Sequence, residues 1–214
     1  MSSYHPKDFV ETAEGLIFAV VTADLEEQRI LTSLRYRRTD QGLQKLATRQ
    51  ANELLTNQHP LYLYYSKARD VSLHGVPQDR VLRHHQPRQR LQTMRQTAPA
   101  DEIEAKLIHL TNLFAEQGLD TQDIGVTGSL LIGAQKPNSD IDLVFYRREA
   151  FFKAREIIQR LLDQGVQTKS ANHNRQRRTP FRLSRPIYAG SSFHPRSGQL
   201  YRHLCRSGPA RGAR

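Results

Sequence analysis

The chain has 214 residues, 25% of them charged, and a formal net charge of +11. Its single cysteine, Cys205, excludes an internal disulfide and a cysteine-built zinc site, and fits a reducing compartment. The longest apolar run, LIFAVV at 16–21, is far short of the roughly 20 residues that cross a bilayer, and MSSYHPKDFV has no basic region followed by an apolar stretch, so the expectation is a soluble cytoplasmic protein.

The N-terminal part reads as short strands. A strand is expected over 9–12, a turn at Ala13, Glu14 and Gly15, a strand over 16–22 and, after the polar ADLEEQR, another over 30–37: an antiparallel meander. Residues 43–55 have helical composition. LYLYYS, from Leu61, alternates as a strand with Tyr62 and Tyr64 on one face and Leu61, Leu63 and Tyr65 on the other. Packing is a simpler role for those tyrosines than stacking on a base. VLRHHQPRQRLQTMR, 81–95, is basic and broken by Pro87, which predicts a helix start followed by a helix. His84 and His85 then diverge by about 100° around that helix, do not share a metal, and read as surface residues.

A boundary is expected at TAPADE, dividing an N-terminal α+β region, 1–97, from a core at 98–166. Asp101 followed by Glu104 makes a capping-box pattern, and Ile103, Leu107, Leu110 and Phe114 recur at helical spacing until Gly118. IGVTG is a short buried strand, 129–134 a helical turn, KPNS a loop, DIDLVFY a second strand, and 149–162 an amphipathic helix. In the second strand Ile141, Leu143 and Phe145 point into the core, while Asp140, Asp142 and Val144 share the other face. Two carboxylates about 7 Å apart repel unless a cation joins them, and hard oxygen ligands suit Mg²⁺ shared with substrate phosphates. Gly128 lets the backbone turn close to a ligand, and Ser129 opens the following helix, whose N–H groups attract anions.

Residues 164–214 hold 11 Lys+Arg and no acidic residue, so the whole charge excess sits in the tail. No apolar period organises residues 167–214, and three readings stand. The segment is a basic arm for RNA or DNA with Phe181, Tyr188, Phe193 and Tyr201 as stacking surfaces, a solvated terminus, or the product of an altered reading frame near residue 165.

From Gly125 to Tyr146, the strand, Gly-Ser turn, helix and Asp-x-Asp strand resemble the nucleotidyltransferases of the DNA polymerase beta superfamily. ETAEGLIFAVV and LRYRR look like the N-terminal part of uncharacterised archaeal and bacterial predicted nucleotidyltransferases. The resemblance implies an α+β fold, a small mixed-sheet core preceded by the antiparallel meander. It implies Gly128 and Ser129 as ligands of the nucleotide triphosphate, and Asp140 and Asp142 as catalytic Mg²⁺ ligands. The implied reaction is in-line attack of an acceptor hydroxyl on the α-phosphate of a nucleoside triphosphate such as ATP, assisted by two metal ions. The superfamily usually adds a third carboxylate from a later strand, yet no Asp or Glu follows Asp163. Glu149 and Glu156, on the helix after the Asp-x-Asp strand, cover the sheet rather than its ligand edge. Glu11, Glu14 and Asp70 are the carboxylates left to fold over the site. The alternative is a catalytically inactive module that binds nucleotide or nucleic acid.

Overall fold

The computed structural model describes residues 4–163 and 181–183. The fold is α+β and rests on two sheets. In the first, β1 (Phe9–Thr12), β2 (Leu16–Glu26) and β3 (Arg29–Thr39) form the expected meander. The polar ADLEEQR is not a loop. Glu27 and Gln28 both have positive φ, 49° and 59°, the left-handed pair of a two-residue hairpin turn, so Glu26 still pairs with Arg29.

β4 (Gly42–Lys45) folds back on β3 with Lys45 opposite Tyr36, so the expected helix over 43–55 begins late. Cross-strand pairing outweighs helical composition there, and α1 (Thr48–Gln58) starts where Gln50 Oε1 accepts the backbone N–H of Ala47 at 2.9 Å. Tyr62 belongs to a 3-10 turn opened by Pro60, and only β5 (Leu63–Ser66) is strand. Tyr62 therefore does not share a face with Tyr64. It sits in the core, 5.2 Å from Phe18 between ring centroids, and its hydroxyl donates to Glu14 at 2.9 Å.

β6 (Val71–Pro77) and β7 (Val81–His85) complete the order β5-β6-β3-β2-β1-β7. The expected helix start over 81–85 is instead this edge strand, antiparallel to β1, while Pro87 opens α2 (Pro87–Gln96). Strand geometry also corrects the two histidines. Consecutive side chains leave opposite faces, so each imidazole reaches a different buried carboxylate. His84 Nε2 lies 2.8 Å from Asp8 Oδ2, and His85 Nε2 lies 3.0 Å from Glu11 Oε2. Both imidazoles are 14% exposed and are not surface residues.

The second unit follows the expected order: α3 (Glu102–Glu116), β8 (Ile124–Thr127), β9 (Ile141–Phe145) and α4 (Arg148–Asp163). Asp101 accepts the Glu104 N–H at 2.8 Å, and the Glu104 carboxylate accepts from Ala100, one residue ahead of the expected reciprocal bond. Ile103, Leu107, Leu110 and Phe114 are buried against Ile141, Leu143 and Phe145. Val144 is fully buried as well, because the other face of the sheet is covered at Gly125, where an added Cβ would stand 2.7 Å from Pro87 Cβ. Leu91 and Met94 of α2 lie in this second core, so by packing α2 joins the unit that the sequence division at 97/98 excludes.

β10 (Phe181–Leu183) pairs in parallel with β9, making a mixed sheet of order β10-β9-β8. The three readings of the tail otherwise lie outside the described residues. Among the described residues no helix is long and apolar enough to cross a membrane.

Candidate active site

The site forms where β8 ends. Gly128 takes φ +69°, and the chain then makes one 3-10 turn, Leu130–Ile132, stopped by Gly133 at φ +69°. The expected helical turn over 129–134 is present as this single 3-10 turn and does not extend into an α-helix. The amides of Ile132 and Ala134 both donate to Ser129 O, at 3.3 and 2.9 Å, closing the turn on itself, so there is no helix N-terminus to hold an anion. The turn is fixed from both sides. Leu130 enters the second core, while Leu131 packs with Phe9, Ile17 and Tyr36 of the first sheet. Arg90 donates to Leu130 O at 3.2 Å and to Glu104 at 3.0 Å, and Thr127 Oγ1 donates to Lys7 O at 2.8 Å.

Thr127 stands opposite Asp142, which brings the strand into contact with the turn. A Cβ added to Gly128 would lie 2.5 Å from Asp142 Oδ2, so the glycine leaves room for that carboxylate in its present rotamer. Tyr36 feels the same group. Burial raises its phenol pKa and the Asp142 charge adds to the rise, against the opposing effect of Arg35. Asp140 precedes β9 at the end of KPNS, a turn held by reciprocal 2.8 Å bonds between Lys136 and Ser139. Gln135 anchors that loop to α3 through Asp101 at 2.9 Å.

Ser129 and Asp140 open into one cleft of about 950 Å³, with Lys136 beside them and Tyr36, Asp40 and Lys45 of the β3–β4 hairpin across from them. Asp142 and Gly128 meet each other at its margin rather than lining it. The structure thus gathers all four expected residues around one turn and divides them into a lining pair and a supporting pair.

The three carboxylates left from the N-terminal half are engaged elsewhere. Glu11 takes Arg38 at 2.7 Å and His85, Glu14 accepts from Tyr62, and Asp70 accepts from Tyr65. Burial alone would raise the Glu11 pKa, but the hydrogen bonds and charges of Arg38 and His85 lower it. On the later strand β10, Arg182 stands opposite Asp142 in register, and no Asp or Glu follows Asp163 to supply the third carboxylate. Among the described residues no three His, Cys, Asp or Glu side chains gather in a metal-binding group. Asp140 and Asp142 remain as two hard oxygen donors, a set that suits Mg²⁺, which takes one or two carboxylates and completes its shell with water and phosphate oxygens.

Four residues around the turn were not legible as site residues. Tyr36 and Lys45 come from a distant hairpin. Arg90 sits in a helix read as merely basic, and Lys136 in a loop read as a connector. Only the KPNS turn itself carried a local signal.

The chain is similar to the uncharacterized protein MJ1086 of Methanocaldococcus jannaschii, 30% identical over 177 residues that cover 73% of this chain and 52% of the relative. It spans about half the length of that relative. No protein-family model matches the chain. No solved structure matches it.

Proposed function

We propose that the chain is a cytoplasmic, Mg²⁺-dependent nucleotidyltransferase that moves a nucleoside monophosphate from a nucleoside triphosphate to an acceptor hydroxyl. The observation that carries this reading is the Gly128–Asp142 contact beside a cleft that Ser129 and Asp140 both line. Asp140 and Asp142 are the residues to hold Mg²⁺. When bound, the ion offsets charge on the phosphates and on the departing pyrophosphate.

The chain's own groups have separate tasks. The Ser129 hydroxyl and the backbone around Gly128 donate to phosphate oxygens, which the left-handed turn brings within reach. Burying Leu130 and Leu131 in two different cores fixes that turn before ligand arrives, so little ordering is left to be done on binding. The test is calorimetric titration of each nucleoside triphosphate, with and without Mg²⁺, into wild type and into the Asp140→Asn plus Asp142→Asn variant. Metal-dependent binding lost in the variant is the expected result; binding that persists unchanged overturns the reading.

The lack of any Asp or Glu after Asp163 and the basic tail favour a second reading, a catalytically inactive module that binds nucleotide or, through that tail, RNA or DNA. Pyrophosphate release separates the two: nucleotide binding with no release under any acceptor tried supports the module, and release that depends on Asp140 rejects it.

A further inference from the structure

The cleft has two walls of different origin. One is the Gly-Ser turn with the loop that leads to Asp140, and the other is the β3–β4 hairpin of the N-terminal sheet. Register decides which hairpin side chains face inward. Lys45 is opposite Tyr36 and so shares its face, and Tyr36 is buried against Leu131 of the Gly-Ser turn. Lys136 enters from the opposite wall, at the start of the turn that ends in Asp140.

Among the described residues neither ammonium has a salt bridge or a side-chain hydrogen bond. The third cation of the lining, Arg37, is oriented by donating Nε to Gln44 at 2.6 Å. The lining carries three cations, Arg37, Lys45 and Lys136, against two carboxylates, Asp40 and Asp140, a surplus of positive charge that favours an anionic ligand. A space of about 950 Å³ holds a polyphosphate together with the nucleoside attached to it.

From this we infer that Lys45 and Lys136 are a two-walled clamp for a polyphosphate, which makes the N-terminal hairpin half of the binding site. The inference rests on the nucleotidyltransferase reading for the nature of the anion, a triphosphate chain. It adds what that reading lacks: a role for the first sheet and a reason for its seating on the Gly-Ser turn. The flexible Lys45 stem reaches across the opening, and clamping draws the hairpin toward the loop at 136–139.

The experiment uses the full chain and inorganic tripolyphosphate without Mg²⁺, with affinity read by calorimetry at low and high salt. Wild type binds. Lys45→Ala and Lys136→Ala each weaken binding about 10-fold, the double variant about 100-fold, and Lys45→Arg stays within about threefold of wild type, with all affinities falling as salt rises. Lys106→Ala, whose lysine pairs with Glu102 on α3, leaves affinity unchanged. Each lysine is exposed, so circular dichroism and melting of the variants match wild type. Failure of wild type to bind, an unaffected double variant, or an equal loss in Lys106→Ala each overturns the clamp. The nucleotidyltransferase reading fails on a different axis, Mg²⁺-dependent nucleotide binding that survives loss of both aspartates, whatever the lysines do.

Discussion

The chain carries two pairs of closely spaced carboxylates and treats them in opposite ways. Asp8 and Glu11 flank β1 in the first sheet, and their side chains are 3% and 6% exposed. Each is enclosed by cations or imidazoles of its own chain: His84 for Asp8, His85 and Arg38 for Glu11. Asp140 and Asp142 flank the start of β9, one lining a cleft and the other pressed against a glycine. Spacing alone does not make a site. What separates the pairs is their setting: Asp8 and Glu11 are buried within the first sheet, whereas Asp140 is exposed at a cleft and Asp142 stands against the glycine of the turn that precedes β9.

The largest effect is expected where a buried charge is stranded. Glu104 is 7% exposed and holds Arg90, which in turn holds Leu130 O. Arg90→Met removes the partner and leaves the carboxylate buried. With Arg90 itself 31% exposed, the loss of stability falls at the low end of the range for such breaks, about 3 kcal/mol by chemical denaturation. Arg49→Met, on the exposed pair with Glu53, changes stability by less than about 0.5 kcal/mol. A small effect at Arg90 would mean that the Gly-Ser turn is not tied to α2 and α3.

Much of this contrast is hidden in the linear sequence. The α3 stripe, the β9 alternation and the Gly-Ser to Asp-x-Asp spacing were legible because each is a local period or a short fixed separation. The strand over 81–85 was not: VLRHH has no alternation of apolar and polar residues to announce it, and its carboxylate partners lie more than 70 residues away. Leu43 to Lys45 read as helix because composition hides the tight hairpin that Thr39 and Gly42 close between β3 and β4. The helical turn expected after Ser129 stays at one 3-10 turn, its leucines drawn to two different cores. Half of the cleft was invisible for the same cause, because Tyr36 and Lys45 reach it only through sheet pairing.

Acid should separate the two units. His74 Nδ1 accepts the Leu34 N–H at 2.7 Å and its Nε2 faces Asn52 Oδ1 at 3.0 Å, and burial lowers its pKa to about 4 from 6.5. Between those values the unfolded chain binds a proton and the folded chain does not, so this contribution is intact above pH 6.5 and is lost as pH falls toward 4. The loss is roughly 3 kcal/mol. His85, lowered by burial against the opposing pull of Glu11, acts in the same direction. The second unit's only described histidine, His109, is exposed. Hydrogen exchange followed from pH 7 to 4.5 should therefore show protection falling first in β3 and β6 and later in β8 and β9, with a shallower acid slope in His74→Gln. A uniform loss would erase the distinction between the units.

The carboxylate pairs themselves are exchanged in role by a matched set of variants. Glu11→Gln should cost about 1–3 kcal/mol of stability, because Arg38 and His85 lose an ionised acceptor at a buried position, while Mg²⁺-dependent nucleotide affinity is kept. Asp142→Asn should move stability by less than about 1 kcal/mol and reduce that affinity at least 10-fold. Chemical denaturation and calorimetry on the same two proteins read both quantities. If both variants lose stability alike and neither affects affinity, the two pairs are equivalent and the cleft has no special claim.

A modest energetic change at the turn is the most informative about geometry. At Gly128 an alanine keeps the left-handed φ of +69° at about 1–2 kcal/mol, a modest cost for the fold. Its Cβ, however, has no place to go. Asp142 Oδ2 lies 2.5 Å from the position that the Cβ takes, so either the carboxylate rotates away or the turn lifts from Tyr36 and Leu131. Both movements displace one half of the site relative to the other. Gly128→Ala is therefore expected to lose nucleotide affinity out of proportion to its stability, by at least 10-fold, whereas an alanine at Gly118, outside the cleft, whose φ is +71° and whose added Cβ meets only the flexible end of Lys153 at 3.3 Å, loses stability without that excess. Equal ratios of affinity loss to stability loss at the two glycines would show that strain alone, and not the room kept for Asp142, explains the glycine at position 128.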